Sequence, residues 1–135
     1  MNTIAIIAII SAILVNKPKI EEIIVVPEPP KQVFYEPNHR QKIWLGALEW
    51  CESAGVKEAI NPNDSDGTPS YHSFQFKPNT FERYIKKYNI KEAPISDYDT
   101  QYLIVSQMLN DKSVKWNKEF PACVRKLGYP PSMSS

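Results

Sequence analysis

The sequence predicts a mainly α single domain with a loop-rich or small β insertion, preceded by a hydrophobic anchor and a proline-rich linker. Three observations predict it: an uncharged apolar run at residues 3–15, a crowd of prolines between Pro18 and Pro37, and later stretches whose apolar residues recur at helical spacing. The 135 residues leave room for one modest domain plus appendages. The reading divides the chain into an anchor or signal at 1–16, a linker at 17–37, a folded domain at 38–130 and a tail at 131–135.

Residues 3–15, TIAIIAIISAILV, carry no charge. As a helix they would rise ~1.5 Å per residue and cover ~20 Å of a hydrocarbon core ~30 Å thick. That length suits a signal-peptide core, yet only the amino terminus supplies positive charge before it, and no small-x-small cleavage site follows. The run therefore reads as an uncleaved membrane anchor ahead of a cleaved signal, with a buried core segment as a third option. Lys17 and Lys19 follow it, and the positive-inside rule would put the rest of the chain on the cytoplasmic side.

From residue 17 to 37 the prolines favour extended polyproline II, a semi-rigid spacer at ~3.1 Å per residue. A docked strand at residues 23–26, IIVV, is the alternative, because such a run is sticky in solvent. From Asn38 onward Ile43, Ala47, Leu48 and Cys51 recur at helical spacing, and Gly55 is a stop signal. Residues 61–70, NPNDSDGTPS, are dense in turn formers. The segment SYHSFQF follows as a strand or tight extended turn. Pro78 and Asn79 then open a helix whose Phe81, Tyr84, Ile85 and Tyr88 make a core-facing stripe. Ser96, Asp97 and Asp99 start another, with Tyr98, Tyr102, Val105 and Leu109 on one face. A last short helix from Pro121 buries Cys123, Val124 and Leu127 and stops at Gly128.

Sixteen basic residues against fifteen acidic ones give a net charge of +1, so no overall field draws the protein to nucleic acid, and no nucleic-acid partner is expected. NDSDG invites a calcium-loop reading, but the first ligand position falls on Pro62 and the bidentate glutamate position on Ser73. Cys51, Cys123, His39 and His72 lack the close spacing of a zinc site. Neither a metal nor another cofactor is expected. Cys51 and Cys123 both lie on predicted core faces, either as a disulfide or as two buried thiols.

Three features of residues 44–81 carry a resemblance. Glu52 and Ser53 end a helix just before Gly55; Asn61 and Pro62 open a loop; and SYHSFQF occupies 70–76. In this order and spacing they resemble the lysozyme-like lytic transglycosylase family, especially its small bacteriophage and bacterial versions. The resemblance implies an α+β lysozyme-like fold and action on peptidoglycan glycan strands. It implies Glu52 as the catalytic acid, Ser53 beside it in the motif, and Gln75 lining the glycan cleft. Ala54 stands where relatives often have Gly, and His72 with Ser73 replace a Gly-hydrophobic pair. Tyr71, Ser73 and Tyr102 are further candidate substrate-binding residues. Phe74, Phe76 and Trp116 are aromatics that could stack on sugars, although aromatics at helical spacing more often fill the core.

The chemistry agrees with Glu52. An acid that protonates a glycosidic oxygen must keep its proton near neutral pH. Leu45 and Leu48 lie seven and four residues earlier on the same helical face, so an inward Glu52 loses solvent, and the negative end of the helix dipole also disfavours its charge. Glu49, Glu58, Asp64 and Asp66 are nearby candidates for the second carboxylate of a hydrolase, and Asp64 and Asp66 also suit a purely conformational role in their turn. The family instead implies one glutamate that donates a proton and then accepts one while the sugar's 6-hydroxyl closes an anhydro ring.

The expected function is a membrane-tethered or virion-associated murein lyase, with localisation at the membrane or exported to the cell envelope. The cytoplasmic orientation suggested by Lys17 and Lys19 conflicts with that site of action. Expected partners are peptidoglycan, a membrane through residues 3–15, and virion or envelope proteins. A non-catalytic glycan-binding or virion-structural protein and a hydrolytic lysozyme are the alternatives.

Overall fold

A computed structural model describes residues 18–132, so the anchor expected at 3–15 lies outside the described residues. No helix among the described residues is long and apolar enough to cross a membrane. The chain divides into two units, one up to Gln32 and one from Val33. In the first, residues 18–32 form no helix or strand. The strand alternative at 23–26 is not formed: Ile23 is 87% exposed and Val26 76%.

The second unit is mainly helical with one small sheet. Its order is α1 (His39–Ser53), β1 (Ile60–Asn61), β2 (Ser70–Tyr71), α2 (Pro78–Lys87), α3 (Tyr98–Asn110), α4 (Trp116–Glu119) and α5 (Pro121–Leu127). The two strands pair antiparallel, Ile60 opposite Tyr71 and Asn61 opposite Ser70. This hairpin is the expected β insertion. After Tyr71 the chain turns and closes on itself through the Tyr71–Phe76 bridge.

α1 begins at a capping box: Asn38 Oδ1 accepts from Gln41 N, and Gln41 Oε1 accepts from Asn38 N at 2.9 Å. Gln41 is also fully buried. Its Oε1 accepts from the Tyr35 hydroxyl at 2.6 Å, and its Nε2 donates to the Pro131 carbonyl at 3.3 Å. One amide thus joins the chain before α1 to the chain after α5. The expected linker and tail boundaries shift accordingly. Pro37 is buried, the Tyr35 backbone exchanges hydrogen bonds with the Gln107 amide at 2.9 and 3.1 Å, and Pro131 is tied down by Gln41.

The core face of α1 holds Trp44, Leu45 and Leu48, while Ile43 is 61% exposed, contrary to the expected stripe. Trp44 packs edge-on against Trp116 at 5.1 Å, and its indole N–H donates to the Gly128 carbonyl. The stripe of α2 is as expected: Phe81, Tyr84 and Ile85 are buried, and Tyr88 packs at the margin. α3 is rotated from its expected face. Val105 is buried, but Tyr98, Tyr102 and Leu109 are only partly so, and the inward set is Gln101, Ile104, Val105 and Met108. Gln101 explains the rotation. Its Oε1 accepts from Phe74 N, and its Nε2 donates to the carbonyls of Tyr71 and Ile95. A buried amide satisfied on both ends holds the hairpin turn against α3.

α4 was not anticipated. Trp116 on it is buried between Trp44 and Phe120, so it serves the core and not a sugar. Phe74 and Phe76, 0% and 3% exposed, are core residues too. α5 starts with Pro121 in its first turn and ends at Gly128, with Cys123 and Val124 buried and Leu127 partly exposed. A disulfide joins Cys51 on α1 to Cys123 on α5, with Cα atoms 5.8 Å apart. It resolves the choice between bond and thiols, and closing a loop of this length contributes ~4 kcal/mol in the chain-entropy account.

Candidate active site around Glu52

Glu52 lies in the last turn of α1, one residue before the helix stops. The stop requires a left-handed residue, and Ala54 takes that conformation at φ 52°, its N–H donating to the Trp50 carbonyl at 2.8 Å. Gly55 follows at φ 76°. A glycine at position 54 would adopt this backbone without a Cβ clash.

The helix end delivers the Glu52 side chain into a cleft of about 520 Å³. One wall is the loop with Asp64, Ser65 and Asp66, together with Gln75 and Lys77. The other runs from Lys118 on α4 across Phe120 and Pro121 to Arg125 on α5. Burial pushes the Glu52 carboxyl up to about 7, the Asp64 carboxylate pushes in the same direction, and Lys126 opposes both. Leu45 and Leu48 are wholly buried in the core beneath α1 but do not line the cleft. Of the four nearby carboxylates considered as a second acid, Asp64 is the one that acts on the Glu52 charge.

The conformational role expected of Asp64 and Asp66 is present as well. Asp64 accepts from Ser65 N, and Asp66 accepts from the N–H and hydroxyl of Thr68. The ammonium of Lys77 sits among them, bonded to Asp66 and Thr68 Oγ1 and 3.7 Å from Asp64. Lys77 first, with Thr68, holds the exposed Asp66 carboxyl far below the usual carboxylate range. The loop facing Glu52 is therefore organised around a lysine cation contributed by the chain itself.

Of the other expected site residues, Gln75 reaches the cleft. Its backbone is left-handed at φ 50°. Its amide is fastened to the hairpin, accepting from Ser70 Oγ and donating to the carbonyls of Ala59 and His72. Ser53 is 7% exposed, and its hydroxyl turns back to donate to the Glu49 carbonyl at 3.1 Å. Its side chain thus serves the helix end. Ser73 does not line the cleft: it is 1% exposed, and its Oγ has no hydrogen-bond partner among the described residues. It falls in the tight turn after Tyr71 and points inward.

Tyr71 and Tyr102 do not line the cleft with Glu52. The Tyr71 ring lies beside His72, and the Tyr102 ring packs against Phe74 and Tyr98. Both expectations placed a half-buried tyrosine in the site, and the rotation of α3 about Gln101 accounts for the case of Tyr102. His72, at φ 65°, occupies the left-handed position for which a glycine is the ordinary choice. Its ring is directed to the Lys57 carbonyl, 3.0 Å from Nδ1, and does not line the cleft.

The cleft is also lined by residues that the sequence did not single out, among them Lys77, Thr80, Lys118, Glu119, Phe120 and Arg125. Lys77 could have been suspected from its place directly after the Gln-Phe pair. Lys118 and Arg125 gave no signal, because their place on the cleft is set by the tertiary packing of α4 and α5, including the Cys51–Cys123 disulfide and the Trp44–Trp116 contact. No family model matches the chain, and no curated protein or solved structure is significantly similar to it.

Proposed function

We propose that the domain is a lysozyme-like lytic transglycosylase that cleaves peptidoglycan glycan strands, with Glu52 as its only acid and base. The observation that carries the reading is a half-buried glutamate at a helix end, facing an open cleft and holding its proton up to about pH 7. A carboxyl in that state donates its proton to the glycosidic oxygen as the bond to the anomeric carbon breaks. The resulting carboxylate takes a proton from the 6-hydroxyl of the same sugar as that oxygen bonds to the anomeric carbon. The glutamate is restored, and the product carries a 1,6-anhydro end. The three motif features at Glu52–Ser53, Asn61–Pro62 and residues 70–76 support the same reading. A tether through residues 3–15, at a cell envelope or in a virion, belongs to the proposal.

A hydrolytic reading is favoured by one observation: Asp64 lines the same cleft and acts on the Glu52 charge. A second carboxylate is what a water-activating mechanism needs. The products decide between the two. Digestion of purified murein followed by mass spectrometry of the fragments is expected to show anhydromuramyl ends, and reducing muramyl ends would establish the hydrolase in its place. Glu52→Gln keeps the shape and removes the transferable proton, so turnover is expected to fall by ~100-fold to 10,000-fold. An active variant would overturn the site.

A further inference from the structure

The charges in the Glu52 cleft do not cancel evenly. On the loop wall Asp64 and Asp66 share Lys77. On the helical wall Glu119 is held by Arg83 through both carboxylate oxygens, at 2.9 and 3.1 Å. That leaves one carboxylate charge in excess on the loop wall and, on the helical wall, Lys118 and Arg125, exposed side chains of α4 and α5 that form no ion pair among the described residues. The neutral sugar rings of a glycan give two free cations nothing to pair with. Carboxylates do, and an Arg–carboxylate pair is geometrically selective as well as attractive.

We propose that Lys118 and Arg125 recognise carboxylates carried by the substrate, so that the protein selects anionic strands over neutral ones; this rests on the proposed glycan-cleaving function. In murein the carboxylates have two sources, the acidic peptide stems and the lactyl groups left free where stems are missing. Exposed pairs of this kind are individually weak, so two together are expected to change selectivity by roughly 10-fold at low salt and less as salt rises.

The experiment compares three substrates: stem-bearing strands, strands stripped of peptide by an amidase, and stripped strands whose lactyl carboxyls are converted to neutral amides. With the full chain, kcat/KM is expected to be roughly 10-fold higher on an anionic substrate than on the neutral one. The stem-bearing or the stripped arm that shows the advantage identifies the carboxylate used. In the double variant Lys118→Met, Arg125→Met that advantage is expected to disappear through KM. Equal turnover of all three substrates by the unaltered protein, or an equal loss on all three in the double variant, would overturn the proposal. Should no strand be cleaved, binding of the same strands to the full chain separates the two ideas. Salt-sensitive binding of anionic strands alone keeps the carboxylate site and rejects the enzyme, while absence of binding rejects both.

Discussion

Ionising Glu52 destabilises the folded protein, because its carboxyl holds a proton more tightly in the cleft than in the unfolded chain, where the ordinary value is 4.5. Between that value and about 7 the folded state binds more protons than the unfolded one, so this residue makes stability fall as pH rises across the window. Below the window Glu52 is protonated in both states and contributes no difference. Above it the full penalty is present, about 1 to 3 kcal/mol after allowance for partial exposure. Glu52→Gln removes the penalty along with the proton. The variant is therefore expected to unfold at a higher temperature than the unaltered protein at pH 8 and at nearly the same temperature at pH 4. Calorimetry at the two pH values checks this, and an equal difference at both would mean that the side chain is solvated.

At the scale of elements, legibility followed the kind of signal. Apolar periodicity located α1, α2, α3 and α5, since Phe81, Tyr84 and Ile85 can be buried together only as one helical face. The rotation of α3 was not legible, because it is set by Gln101 and a glutamine reads as surface until its partners are known. α4 escaped because four residues are too few for a period. The site divided in the same way. Glu52 was legible from local pattern, while the cations at positions 118 and 125 were assembled by tertiary contacts alone. The C-terminus of α1 joins both levels, since its Ala54 is held at φ 52° by the chain reversal that presents Glu52. Ala54→Gly relieves the Cβ crowding of that backbone and is expected to stabilise the domain by up to ~1 kcal/mol. Urea unfolding measures the change. A loss of stability would mean that the Ala54 side chain contributes packing that outweighs the strain.

For the molecule as a whole, the Cys51–Cys123 disulfide holds the helices that form the floor and one wall of the cleft. The segment before α1 belongs to the same body. Tyr35 makes three of its fastenings: two to the Gln107 amide through its backbone and one to the buried Gln41 through its hydroxyl. Truncation therefore has a sharp boundary. A fragment of residues 33–135 retains every one of these bonds, whereas a fragment of 38–135 loses all three and leaves Gln41 with a buried acceptor partly unfilled. At ~1 kcal/mol for each hydrogen bond the shorter fragment is expected to lose ~2 to 3 kcal/mol. For a domain near 100 residues that lowers the melting temperature by roughly 10 to 20 °C. Thermal unfolding followed by circular dichroism on both fragments tests it. The longer one should be folded with a single cooperative transition and the shorter one markedly weaker; equal melting temperatures would return residues 33–37 to the spacer and place the domain boundary at Asn38.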